Sequence, residues 1–135
     1  MKTIAAIALG CSLLMISPAQ GEGRGAWVAI HQDKYVSGEI AATAYINLSM
    51  IIRDSGNPRV WVLLDRKQRA ATGHMSSLNL TEVDCAGRRA RSLHIRTYSG
   101  AMATGSTVAD AVPPEMWDSA YFPSSCVYDL SKHVC

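Results

Sequence analysis

Apolar positions in this chain come in short stretches broken by Gly, Asn, Asp and Ser. That pattern predicts strands over most of its length. "AWVAI" (Ala26 to Ile30) predicts a first strand, and "ATAYINLSMIIR" (Ala42 to Arg53) one or two further strand pieces. "DSGNP" (Asp54 to Pro58) predicts a tight connection, because Gly supplies positive φ and Pro blocks strand continuation. "RVWVLLDRKQ" (Arg59 to Gln68) is the clearest strand, with Val60, Val62 and Leu64 on one face and Trp61 and Leu63 on the other. A strand apolar on both faces belongs in the middle of a sheet.

"HMSSLNLTEVDC" (His74 to Cys85) predicts the next strand, with Leu78 and Leu80 in period two. Val83 and Cys85 follow at odd positions, so a bulge is expected near Glu82. Ala86 and Gly87 make a hairpin turn, and "RRARSLHIRTYS" (Arg88 to Ser99) returns antiparallel. Leu93 and Ile95 share one face of that strand, and His94, Arg96 and Tyr98 the other. "GSTVADAV" (Gly105 to Val112) is a shorter edge strand, and Val112 to Ser125 is irregular and marked by prolines. The period then changes. Val127, Leu130 and Val134 fall at i, i+3 and i+7, one helical face, with Ser124 or Ser125 as cap and Lys132 and His133 in the last turn. The pattern describes an α+β chain, mainly β: an antiparallel sheet followed by one helix packed on it.

The beginning of the chain follows different rules. Lys2 precedes thirteen apolar-run residues, Ile4 to Ile16, and then small residues at Ser17 and Ala19. This is the layout of a secretory signal peptide, too short for a bilayer span of roughly 20 residues. Residues 1–19 are expected to be removed, with the boundary at 19–21, leaving a single domain over 20–135. "ALGC" (Ala8 to Cys11) has the look of a lipobox that would attach the protein to a membrane through Cys11. Ala8 is a poor first lipobox residue, however, and the apolar run continues beyond Cys11. The expected product is exported, to the periplasm or outer surface, where disulfides persist.

Charge divides the remainder. Residues 53–96 carry nine Lys or Arg against four Asp or Glu, while 97–135 carry one Lys against four acids. Arg88, Arg89, Arg91 and Arg96 give the return strand a basic face, the candidate surface for an acidic partner or a sulfated glycan. Nucleic acid is a poor fit for an exported chain with a formal net charge of only +2.

Three cysteines follow the signal peptide: Cys85, Cys126 and Cys135. Along one helix, Cys126 and Cys135 are separated by about 13–14 Å of rise, beyond the roughly 7 Å that a disulfide spans. Cys85 therefore pairs with one of them. Helical angle slightly favours Cys126, which lies nearer the apolar face. Cys135, at the terminus, can turn to reach a strand and would close a loop of about 50 residues, a constraint of roughly 4 kcal/mol.

An ordered set of short motifs adds to this. "RVWVLLD", "MSSLNLTEVDCAGRRARSL", "TYSGAMATG", "PPEMW", "FPSS" and a helix ending "VC" together resemble the surface-adhesin protein E family of Gram-negative bacteria. The resemblance covers nearly all of 20–135. It implies a compact antiparallel sheet of about six strands with a C-terminal helix on its concave side, tethered by a disulfide at the positions Cys85 and Cys135. Cys126 is extra to that pattern. The family's best-known activity is adhesion by a lipid-anchored dimer that binds host matrix and serum proteins such as laminin and vitronectin, and also haem. The resemblance thus implies a host protein as partner, a homodimer as an assembly and haem as the one ligand to consider.

Other chemistries are weaker. Cys85 with His94 or His133 could form a thiol–imidazole pair, but an exported cysteine with a partner is expected in a disulfide. No Gly-x-Ser-x-Gly, His-Glu-x-x-His or phosphate-loop motif occurs. His31, His74, His94 and His133 lack metal-ligand spacing, and only His74–Met75 suggests an axial haem ligand. The expectation is a non-catalytic cell-envelope binding protein without a cofactor. The alternative is a periplasmic accessory protein that binds a small ligand such as haem, or another envelope protein.

Overall fold

A computed structural model describes residues 26–54 and 56–135. The signal peptide, its cleavage point and Cys11 lie outside the described residues. Six strands form one antiparallel meander in the order β1 to β6: Trp27–Lys34, Ile40–Asn47, Arg59–Arg66, Ser76–Asp84, Arg89–Tyr98 and Thr107–Ala111. One helix, α1 (Cys126–Val134), follows an irregular strap and packs on the β1 side of the sheet. The doubly apolar strand β3 is central, as its pattern predicts, and β6 is an edge.

Alternation decides what each face carries. Ala42, Ala44 and Ile46 of β2, and Val60 and Val62 of β3, are buried on the face that α1 covers. Val83 and Ala90 continue that surface across β4 and β5. From α1, Val127, Leu130 and Val134 complete the same core. The helical face read from the sequence is therefore the buried one. Ser125 caps the helix, its hydroxyl accepting from the Tyr128 amide at 3.1 Å, which satisfies a donor that the first turn leaves unpaired.

Several boundaries differ from expectation, each for a local reason. β1 runs on to Lys34, because an edge strand tolerates the polar His31, Gln32 and Asp33. The Ala42–Arg53 stretch ends as a strand at Asn47. The Asn47 side chain accepts from the Ser49 amide and hydroxyl, at 3.1 and 2.7 Å, and turns the chain into a short 3-10 segment, Leu48–Met50. The bulge expected near Glu82 on β4 lies instead on its partner. Leu80 faces His94 and Thr81 faces Ser92, so Leu93 of β5 is the extra residue. β4 keeps its phase and places Leu78 and Leu80 on one face and Asn79, Thr81 and Val83 on the other. The β4–β5 turn spans Cys85–Arg88 rather than Ala86–Gly87 alone, and Arg88 takes the positive φ of 55°. Gly87 is needed for another reason: a Cβ there would collide with the Asp84 carboxylate, which accepts from the Gly87 amide at 3.0 Å.

The family-like "YSGAMATG" stretch also has a structural role. Its turn at Ala101–Ala103 folds back on the sheet. Asp65 accepts from the Met102 amide at 2.7 Å, and the fully buried Ser76 hydroxyl accepts from the Ala103 amide at 2.8 Å while donating to Gly100 O at 2.6 Å.

Candidate functional site

The face away from α1 carries Trp27 and Trp61. Trp27 opposes Asn47, Trp61 opposes Leu80, Leu80 opposes His94, and Leu78 opposes Arg96. These positions share one face. Trp27, Met50, Trp61, Leu78, His94 and Arg96 line a cleft of about 270 Å³. The Trp61 and His94 rings are tilted, with centroids 6.2 Å apart. His94 and Arg96 share the carboxylate of Asp110 on β6, Arg96 Nε donating at 3.0 Å. The His94 bond, aided by Arg96, holds the Asp110 carboxyl below the usual carboxylate range despite some desolvation.

The third tryptophan reaches the same side from the strap. Ala90 exchanges backbone hydrogen bonds with Asp118, at 3.0 and 2.7 Å. Asp118 thus shares the side of Ala90, and Trp117 falls on the opposite one. There the guanidinium groups of Arg89 and Arg91 stand 4.2 and 4.7 Å from the Trp117 ring centroid, within cation–π range. All three tryptophans of the chain are therefore on the helix-free side, each half-buried.

Of the four arginines expected on the return strand, Arg89, Arg91 and Arg96 lie on β5, whereas Arg88 falls in the turn before it. Arg89 donates to Asp84 at 2.9 Å, Arg91 pairs with Glu82 at 2.8 Å and also with Glu115, and Arg96 pairs with Asp110. Arg88 has no carboxylate partner among the described residues and stands 5.4 Å from the Tyr121 centroid. Asp84 is held below its ordinary value by the Arg89 bond and then by the Gly87 amide. Glu82 is held low by the Asn57 amide and by Arg91, which together outweigh the desolvation that would raise it. This ladder of acids and arginines is ionised and internally matched. Sequence reasoning finds the arginines by their clustering but misses Glu82, Asp84 and Trp117, because pairing across strands is a register property. Trp61, on the face of its strand opposite Val60 and Val62, and the tryptophan of "PPEMW" are sequence signals of the aromatic face.

The helix-covered side carries the cysteines. Cys85 is bonded to Cys135, with Cα atoms 5.8 Å apart. The pairing implied by the family resemblance is the one present, and the slight preference of helical angle for Cys126 is overturned. Cys135 lies one residue past the helix and can turn toward the strand end, whereas Cys126 is fixed at the other end of α1. Cys126 is free and half-buried. Burial pushes its thiol up to about 11, helped by the charges of Asp33, Asp129 and Asp118.

His31 joins β1 to α1. Its Nδ1 is 2.8 Å from Asp129 Oδ2 and its Nε2 3.0 Å from Asp33 Oδ1. His74 stands in the loop before β4, 2.7 Å from the Thr72 hydroxyl. His133 lies 2.9 Å from Asp129 O within α1. Among the described residues no three His, Cys, Asp or Glu side chains gather as a metal site, and no helix is long and apolar enough to cross a membrane.

Comparison with known proteins places this geometry. Haemophilus influenzae protein E, in its crystal form II, superposes with a TM-score of 0.59 at 14% sequence identity, covering 83% of this chain and 88% of that one. At that identity the likeness speaks for the fold. No curated protein matches the sequence. The family model described as surface-adhesin protein E matches residues 27–135, from the first residue of β1 to the disulfide-bonded terminus, and the chain therefore belongs to the surface-adhesin protein E family.

Proposed function

We propose that this chain is a non-catalytic binding module of the Gram-negative cell envelope, exported to the outer surface, whose helix-free face docks a protein of the host matrix or serum. The observation that carries this reading is the gathering of all three tryptophans, with Arg89, Arg91 and Arg96, on the side of the sheet without the helix. Trp and Arg dominate the binding energy of protein interfaces because each covers a large area and still offers a directed polar group. The matched ion pairs give that face a fixed pattern of charge, which favours orientation of a partner over sheer attraction.

The cysteines support the absence of catalysis. Cys85 is committed to the disulfide, and the raised thiol of Cys126 is a poor nucleophile. The resemblance to a family with laminin- and vitronectin-binding members supplies the partner class. Two measurements test the reading together. Protease added to intact cells should cut the protein, and the purified mature chain should bind immobilised laminin or vitronectin through the tryptophan face. Protection in intact cells together with no binding would overturn it and leave the periplasmic accessory protein.

A further inference from the structure

We infer that the space between α1, the strap and the sheet is a binding pocket for a small amphipathic cation, such as a primary amine on a short apolar chain. The cavity measures about 300 Å³. That is room for roughly ten waters at about 30 Å³ each and the lower end of ligand-site volumes.

Its floor changes character along the sheet. Val62 and Leu64 of β3, with Leu130 above them, make one half apolar. Asn79 and Thr81 of β4 and Ser92 of β5 make the other half polar. This placement runs against ordinary patterning. A central strand with one covered face should turn its leucines inward, yet Leu78 and Leu80 face the side without the helix. The polar row is only partly self-satisfied: Asn79 Nδ2 donates to Ser92 Oγ at 2.8 Å, and the Thr81 hydroxyl donates to Asn79 O and Oδ1 at 3.3 and 3.2 Å. Hydroxyl and amide groups with capacity to spare therefore face an open cavity.

Sign follows from the walls. Asp33 and Asp118 line the same cavity. Together with Asp129 they act on the Cys126 thiol as negative charges. Arg91, the cationic residue on the wall, is bound to Glu82 and Glu115. Asp33 and Asp129 share His31, whereas the Asp118 carboxylate has no cationic partner among the described residues and accepts from the Ala120 amide, at 2.9 Å. The field in the cavity therefore favours a positive ligand head against the carboxylates, with its apolar chain along Val62, Leu64 and Leu130.

The test uses the full mature chain with n-pentylamine, and pentan-1-ol and pentanoate as matched controls, followed by amide NMR shifts at pH 7. The amine should shift Asn79, Thr81, Ser92 and Cys126 saturably, with pentan-1-ol weaker and pentanoate without effect. Asp118→Asn keeps the oxygen that caps Ala120 and should weaken the amine about fivefold with unchanged melting. Equal binding of all three compounds, shifts spread over the surface, no saturable shift by about 50 mM amine, or an unaltered affinity in a folded Asp118→Asn protein would each overturn the proposal.

Discussion

The two faces of this one sheet are built from the same strands and carry opposite kinds of side chain. On the covered face the side chains are small or medium: Ala42, Ala44, Val60, Val62, Val83 and Ala90, all nearly removed from solvent. Small residues let α1 come close, and Val127, Leu130 and Val134 fill what remains. On the open face the aromatic residues are half-buried, and Leu63 is the one large apolar side chain there that neighbours cover completely. One face has its apolar surface used in folding; the other retains large aromatic surfaces beside ordered ion pairs. On the proposed function, stability and protein docking fall on opposite sides of the same strands, and substitutions should separate them.

The largest expected effect is on the covered side. Cys85→Ser releases a bridge between residues 50 apart in sequence. It should cost roughly 3–4 kcal/mol and lower the melting temperature by more than about 10 °C. Cys126→Ser leaves the bridge intact and should cost much less. A thermal melt of both variants checks the order, and equal losses would show that the tether does little. Leu130→Ala comes next. This side chain is 3% exposed between α1 and the sheet, and its truncation should cost about 2–4 kcal/mol while leaving binding by the folded fraction unchanged.

Trp27→Ala should reverse that pattern. Trp27 begins an edge strand and is half-buried, so its loss should change stability by about 1 kcal/mol or less. As a wall of the open cleft it should weaken partner binding tenfold or more, about 1.4 kcal/mol upward. Surface plasmon resonance beside a thermal melt reads both quantities. If Leu130→Ala and Trp27→Ala shift binding and stability in the same proportion, the division between the faces is wrong.

Much of this division could be read before the structure, and the gaps have physical causes. The apolar alternation of Arg59–Arg66 and the i, i+3, i+7 spacing of α1 are local properties, so the sheet, its centre and the buried helical face were legible. The position of the bulge was not. Val83 and Cys85 look out of phase with Leu78 and Leu80 because β4 presents leucines to the open side and polar residues to the cavity. A slip and an inverted face give the same string of letters. The arginine cluster was legible too, but its neutralisation by Glu82, Asp84 and Asp110 depends on strand register, and the Trp117 contact depends on how an irregular strap returns to β5. The Cys85–Cys135 bridge came from the family likeness; helical angle alone pointed the other way.

The smallest expected effect tests how α1 is held to the edge of the sheet. His31 has only 8% of its side chain exposed and bridges Asp129 on α1 and Asp33 on its own strand, with Lys132 3.5 Å from Asp129. Burial alone would lower its pKa, but the hydrogen bonds to Asp129 and Asp33 and their charges outweigh that and raise it. Asp129 is lowered, first by the same His31 bond. A raised imidazole contributes stability that is full below its unfolded value of about 6.5 and is lost as pH climbs through the higher folded value. A lowered carboxyl contributes above its unfolded value of about 3.9 and loses this as pH falls through the folded one. The clasp should therefore be strongest in mildly acid solution. Raising the pH past the folded His31 value removes one imidazolium proton, and one of the two carboxylates then loses its donor. The melting temperature should fall modestly over that range, by an amount corresponding to about 1 kcal/mol or less. His31→Gln should flatten this fall, while His133→Gln, which alters an exposed residue of the same helix, should leave it in place. If His31→Gln leaves the alkaline fall intact, the pH dependence arises elsewhere, and α1 is held by its apolar face and its disulfide alone.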